Sequence, residues 1–230
     1  VIRVRALDAV IFDVDGTLVD SERDGHRVAF NLAFAEAGLP DRWDVDLYGD
    51  LLAIAGGAKR LTYWFERTNT PHAAELAQRL HRRKTEFLRE LIAQGRIEAR
   101  PGVADLLDKL ESAGVALHVA TTGTRAWVEP LLARTFGNRF STIITGDDVA
   151  ELKPHPEAYL EVLRRSGEAV DRVVAIEDSA NGVRAAIAAG LTCVAVRNRY
   201  TRLDDVTGAT LVADSFTEGA LQNWFRERLG

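Results

Sequence analysis

The chain has 230 residues, of which 47% are hydrophobic and 27% charged, enough for one large globular domain or two smaller ones. A net charge of −5 and a pI near 5.6 argue against a broad nucleic-acid or membrane-binding surface, so an anionic ligand would have to be held by a focused basic site. The one cysteine, Cys193 in "LTCVAV", has no disulfide partner and is expected to be a buried apolar residue; with no signal-peptide pattern and no apolar run of roughly 18 to 20 residues, a reducing, cytoplasmic setting is expected.

Along the chain, the apolar runs "LDAVIF" (7–12), "VALHVA" (115–120), "FSTIIT" (140–145), "DRVVAI" (171–176) and "TCVAV" (192–196) alternate with helical patterns. That alternation predicts an α/β fold with a Rossmann-like parallel sheet buried on both faces. "RPGVADLLDKLESAG" predicts a helix opening near Pro101 and stopping at Gly114, and "SANGVRAAIAAG" one opening at Ser179 and stopping at Gly190. About a hundred residues separate the first two runs, where a crossover needs only a few tens. The excess, with "DGHRVAFNLAFAEAGL", "LYGDLLAIAGG", "RLTYWFERT" and "HAAELAQRLHRRKTEFLRELIAQG", reads as an inserted all-helical domain. The expected division is a core of 1–19 plus 97–230 and a helical cap of 20–96, hinged at the mouth of the sheet.

Ligands of open α/β sheets bind beyond the carboxyl ends of the strands, so the residues following each apolar run are the ones to inspect. They are Asp13 and Asp15, then Thr121 and Thr122, then the loop holding Lys153, then Glu177 and Asp178. Carboxylates crowded at a strand end repel and are costly to desolvate, so a partner cation is expected. Hard oxygen ligands with no His or Cys beside them favour Mg²⁺. Asp13 and Asp178 are the expected direct ligands, with the carbonyl of Asp15 a third and Glu177 reached directly or through water. A capped Asp-Gly turn would explain "DVDG" alone, but not the second acidic pair after a later strand.

A carboxylate can also attack phosphorus, and Asp13, nearest the strand end, is placed for that. Asp15 could then protonate the leaving oxygen and later activate water. Thr121, with the backbone N–H groups of "TTGT", and Lys153 would stabilise the phosphoryl group.

The order "DVDGTL", "HVATT", "LKPHP", "IEDSANG" resembles the haloacid dehalogenase superfamily of phosphohydrolases. The resemblance implies Asp13 as nucleophile, Asp15 as acid and base, Thr121 and Lys153 as phosphate stabilisers, Asp178 with Glu177 as the Mg²⁺ pole, and the helical insert as a cap over substrate. "DSERDGHRVAFN", "WDVDLYGDLLAIAGG" and "GRIEARPGV" are similar to the CbbY branch, whose known members dephosphorylate xylulose-1,5-bisphosphate. Where those members usually read "GGKER", this chain has Gly56-Gly57-Ala58-Lys59-Arg60, keeping the Arg in register and changing the two residues before it.

A distal phosphate wants fixed cations, and Lys59, Arg60, His26 and Arg27, with Arg100 at the returning linker, are the candidates. Glu22 is placed to meet a sugar hydroxyl. Trp43 and Trp64 read as packing residues, and "RLHRRK" as a solvated charge run. A Mg²⁺-dependent sugar-phosphate phosphatase is therefore expected, with a small phosphorylated sugar as its partner and no nucleic acid, membrane or obligate protein partner. A phosphoglycolate phosphatase, a β-phosphoglucomutase or a non-catalytic sugar-phosphate binder are the alternatives.

Overall fold

The run "AVIF" forms β1 (Ala9–Phe12), and because all four of its residues are buried it needs cover on both faces and a partner at both edges. The computed structural model describes residues 7–54 and 56–229, and the chain divides into two units, Val1–Asp20 with Glu98–Gly230, and Ser21–Ile97. In the second unit lie α1 (Arg27–Glu36), α2 (Val45–Leu51), α3 (Gly57–Arg67) and α4 (Ala73–Ala93). The first continues with α5 (Val103–Ser112), β2 (Ala116–Ala120), α6 (Arg125–Phe136), β3 (Thr142–Ile144), α7 (Glu157–Ser166), β4 (Val173–Glu177), α8 (Ala180–Ala188), β5 (Thr192–Val196), β6 (Leu211–Ala213) and α9 (Gly219–Leu229).

The described strands form one sheet of order β3-β2-β1-β4-β5-β6, parallel throughout. The strand that begins the fold thus ends at its centre. Five strands lie where the apolar runs predict them; β6 does not correspond to any. It is a three-residue edge strand with Val212 38% exposed, so it carries neither the length nor the apolar continuity of a central one. One side of the sheet packs Ile11, Ala175 and Cys193 with Tyr159 and Val162 of α7 and Val183 of α8. Each such fully buried large side chain contributes roughly 1.5–3 kcal/mol. Burial pushes the Cys193 thiol well above its ordinary value, as befits an inert core residue.

Both predicted core helices form with the punctuation read from the sequence. Ser179 caps α8 by accepting the Gly182 N–H at 3.1 Å, and Gly114, with φ of 77°, follows the end of α5 in the left-handed conformation.

The helical unit is organised around Trp43, which is fully buried. Its ring centroid lies 4.9 Å from Phe30 and 5.0 Å from Phe34, two buried residues four positions apart on α1. The Asn31 amide brackets the backbone of Trp43, accepting its N–H and donating to its carbonyl, both at 2.8 Å. Trp64 packs edge-on to Trp43 and donates Nε1–H to Asp41 at 2.7 Å, so both tryptophans serve packing as expected. No described helix is long and apolar enough to cross a membrane.

Candidate active site

Sheet register assembles the site. Phe12 pairs with Val119 on one side and Ile176 on the other, so Asp13, Ala120 and Glu177 stand level at the carboxyl edge. The Asp13 N–H extends the ladder to the Ile176 carbonyl at 3.0 Å, and that of Thr121 to the Ile144 carbonyl at 3.0 Å. At the carboxyl ends of adjacent strands, polar side chains therefore converge.

Lys153 ties them together. Its Nζ donates to Asp13 Oδ1 at 2.7 Å, Glu177 Oε1 at 2.5 Å and the Ala120 carbonyl at 2.8 Å, which uses all three of its protons. Burial alone would favour neutral Lys153, but Asp13 and Glu177 outweigh it and hold the ammonium above its ordinary value. Glu177 Oε1 also accepts the Tyr159 hydroxyl at 2.6 Å, and Oε2 faces the Asp178 N–H at 3.2 Å. Burial raises Tyr159 well above the usual phenol value, and Glu177 raises it further, so it stays protonated and donates.

The remaining charge is acidic. Burial pushes Asp13 up to about 6, with Glu177 adding to the shift and Lys153 opposing it. Asp178 is likewise raised well above the ordinary carboxylate value, first by burial and then by Asp13, Glu177 and Asp15. Carboxylate oxygens of Asp13, Glu177 and Asp178 lie within 4.8 Å of one another, all three residues buried. A buried, hard-oxygen cluster holding more negative charge than Lys153 balances fits a divalent cation of the Mg²⁺ class. Within it, Asp13 and Asp178 suit direct ligation. Glu177 belongs to the same cluster, and its two oxygens also accept from the protein, so it braces Lys153 from its place beside Asp13 and Asp178. Asp15, expected to reach the metal through its carbonyl, is half-buried and contributes no side-chain oxygen to the cluster.

Two glycines are required by these contacts. Gly16 has φ of 87°, and a Cβ there would strike Asp178 Oδ2 and stand 2.6 Å from Asn198 Nδ2. At Gly182 a Cβ would fall on the Glu177 carboxylate itself.

Thr121 is buried at the edge, where its Oγ1 accepts the Gly123 N–H at 3.1 Å and its own O–H is left to donate; Thr122 is exposed. Arg100, expected at a distal phosphate, is instead 8% exposed and staples the loops of its own unit. It donates to the carbonyls of Gly16 at 2.5 Å, Val196 at 3.0 Å and Arg197 at 2.6 Å.

In the helical unit, Arg60 is likewise committed within the protein, at 6% exposure. It donates to the carbonyls of Leu51, the last residue of α2, at 2.9 Å and of Ile54 at 3.3 Å, and to the Tyr48 hydroxyl at 3.0 Å. These contacts set its guanidinium among the protein's own acceptors. Tyr48 in turn donates to Glu22 and so orients it. His26 Nδ1 lies 2.5 Å from Lys84 Nζ, and burial, followed by Lys84, Arg60 and His81, holds its imidazole well below the ordinary range. Neutral His26 therefore accepts from Lys84, a residue assigned to a solvated run in the sequence but only 5% exposed. Arg27 donates to the carbonyls of Arg23 and Trp43, while Lys59 is exposed on α3.

Tyr159 and Asn198 were also missed. Tyr159 lies mid-helix and reads as core, whereas Asn198 follows β5 and would have been found by carrying the strand-end rule one strand further.

A family model described as haloacid dehalogenase-like hydrolase matches residues 7–190. The chain belongs to that family. This haloacid dehalogenase-like hydrolase is 42% identical over 216 residues to protein CbbY of Cereibacter sphaeroides, covering 92% of its own length and 94% of that protein. Its fold matches a mutant of CbbY from Rhodobacter sphaeroides solved in complex with xylulose-(1,5)bisphosphate, with a TM-score of 0.78 and 41% identity, over 92% of this chain and 96% of that one. A putative β-phosphoglucomutase from Thermotoga maritima matches with a TM-score of 0.77 at 28% identity, over 96% of this chain and 99% of that one. By family and by these relatives, this haloacid dehalogenase-like hydrolase is a phosphatase.

Proposed function

We propose that the protein is a Mg²⁺-dependent sugar-phosphate phosphatase that works through an aspartyl-phosphate on Asp13 and removes the 1-phosphate of xylulose-1,5-bisphosphate. The observation that carries the chemistry is the buried ammonium of Lys153 held between Asp13 and Glu177. Lys153 keeps Asp13 ionised and so nucleophilic, and its position limits charge build-up as phosphorus is attacked. Bound Mg²⁺ would supply positive charge to Asp13, Asp178 and the phosphoryl oxygens.

An Asp13 oxygen forms a bond to phosphorus as the phosphorus–sugar oxygen bond breaks, and Asp15 gives its proton to the leaving oxygen. Asp15, now a carboxylate, takes a proton from water as that water attacks phosphorus. The Asp13–phosphorus bond breaks, inorganic phosphate leaves, and both carboxyl groups return to their starting states. The Thr121 O–H donates to a phosphoryl oxygen throughout.

The substrate reading is supported by the CbbY complex with xylulose-(1,5)bisphosphate. Within the helical unit, Glu22, oriented by Tyr48, is proposed to meet a sugar hydroxyl, and His26 and exposed Lys59 to meet the sugar or its distal phosphate. That unit is proposed to act as the cap, and the enzyme to work in the cytoplasm without nucleic acid, membrane or an obligate protein partner. Likeness to a putative β-phosphoglucomutase favours a second reading, in which the same aspartyl-phosphate returns its phosphoryl group to a sugar.

Phosphate release with Mg²⁺ tests both readings, using xylulose-1,5-bisphosphate, ribulose-1,5-bisphosphate, phosphoglycolate, β-glucose 1-phosphate and pentose phosphates. A kcat/KM for xylulose-1,5-bisphosphate about a hundredfold above the rest is expected, a margin within reach of polar recognition. Comparable rates on monophosphates would replace it with a general sugar phosphatase, and conversion of β-glucose 1-phosphate without free phosphate would establish the mutase.

A further inference from the structure

The loop after β5 supplies a contact to the acidic cluster that lies outside all four motifs. Asn198 donates Nδ2 to Asp178 Oδ2 at 2.7 Å and to the Gly16 carbonyl at 3.2 Å. Its Oδ1 accepts the N–H groups of Tyr200 at 2.8 Å and Thr201 at 3.1 Å, and its own N–H goes to Thr201 Oγ1 at 3.1 Å. The local turn therefore occupies the oxygen end of the amide, so the amide cannot be turned over and its NH₂ must face the carboxylate. Arg100 fixes the same loop from the other side, joining the Val196 and Arg197 carbonyls to that of Gly16.

The chemistry of the contact is selective. Asp178 is buried beside Asp13 and Glu177, and a charged donor on it would compete with a cation for its charge. A neutral amide orients the carboxylate and stabilises its ionised form while leaving the charge in place. Oδ2 is engaged by Asn198, while among the described residues Oδ1 has only the Thr17 hydroxyl, at a long 3.4 Å. The lack of room for a Cβ at Gly16 shows how closely this loop is drawn in.

We propose that Asn198 is a positioning residue for the metal site: it holds Asp178 by one oxygen and leaves the other for a divalent cation, setting affinity without touching cation or substrate. The inference rests on reading the acidic cluster as a divalent-cation site.

The test is Mn²⁺ binding to the full chain without substrate, followed by the electron paramagnetic resonance signal of free Mn²⁺, together with Mg²⁺ titration of phosphate release. Asn198→Ala should weaken Mn²⁺ binding about tenfold or more and raise half-activating Mg²⁺ similarly, the usual scale for losing a ligand's partner. At saturating Mg²⁺ its kcat should stay within about threefold of wild type, since only the metal-loading step is affected. Asn198→Ser guards against loss of the loop, because a hydroxyl can accept the same turn N–H groups yet is too short to reach Asp178; it should show the same shift. Wild-type affinity in both variants, or a kcat loss that added Mg²⁺ does not restore, overturns the proposal. Failure of wild type itself to bind Mn²⁺ overturns the metal site and this inference with it.

Discussion

Tyr159 donates its hydroxyl to Glu177 Oε1 at 2.6 Å, the same oxygen that receives Lys153 at 2.5 Å. A mid-helix core residue thereby sets how strongly Glu177 draws the ammonium away from Asp13. Tyr159→Phe removes one oxygen and keeps the ring, so the packing of α7 stays. Loss of a bond to a buried carboxylate should cost about 1.5–3 kcal/mol in urea unfolding. kcat should fall as well, since Glu177 then claims more of Lys153. A change under about 0.5 kcal/mol would place the hydroxyl outside the network.

Lys153→Ala leaves Asp13 and Glu177 buried without their ammonium. Breaking a buried pair by removing one partner costs roughly 3–5 kcal/mol. kcat should drop at least about a hundredfold, the scale for losing one electrostatic stabiliser. Steady-state phosphate release and urea melts measure both; retained activity would remove Lys153 from the chemistry.

Gly182→Ala reverses a familiar sign. Alanine in place of a helical glycine ordinarily gains up to about 1 kcal/mol. In α8 the added Cβ lands on the Glu177 carboxylate, so about 1–3 kcal/mol should be lost, together with activity as Glu177 shifts from Lys153. A stabilised, fully active variant would show that Glu177 tolerates displacement.

The acidic cluster predicts how Mg²⁺ stabilisation varies with pH. Asp13 is raised from 3.8 to about 6, so between those values the metal-free protein holds protons that the unfolded chain has lost. Its stability therefore falls as pH rises through that window, and the upward shift of Asp178 acts in the same direction. A cation replaces those protons, so the rise in Tm on adding Mg²⁺ should be larger near about pH 7.5 than near about pH 5. Equal increments at both would argue that Mg²⁺ binds elsewhere.

His26 titrates with the opposite consequence. Its folded pKa lies well below the ordinary 6.5, so on acidification the unfolded chain gains a proton that the folded helical unit refuses. Stability present above pH 6.5 is lost as pH falls below it, with a slope of at most about 1.4 kcal/mol per pH unit for one proton. Thermal melts of wild type and His26→Gln between about pH 5 and 7 should differ by that slope, flattening in the variant. Parallel curves would mean that His26 is protonated freely in the fold.

The central strands and the acidic edge were legible because burial on both faces demands unbroken apolar runs, and an unbroken run ending in Asp13 or Glu177 marks its own terminus. Edge strand β6 left no such mark, being three residues long and half wet. Cations were the hardest to place: Arg60 and Arg100 carry the charge a phosphate needs, but equally the donors that orphaned carbonyls need. Only coordinates reveal which acceptors come near. Lys84 was hidden by its arginine neighbours in "RLHRRK", although one side chain of a charged run can face inward while the rest face water.

The two passages between the units meet as neighbours. Arg100 donates its N–H to the Leu18 carbonyl at 2.9 Å, and Val19 pairs antiparallel with Ala99. The chain thus departs and returns through adjacent backbone positions, so for the sheet the 77-residue excursion Ser21–Ile97 amounts to one long hairpin loop, already closed at its base. Insertions at such a stitched opening are cheap for the host fold, whatever their length. If that excursion selects substrate as proposed, it can be exchanged whole while the sheet edge keeps its register.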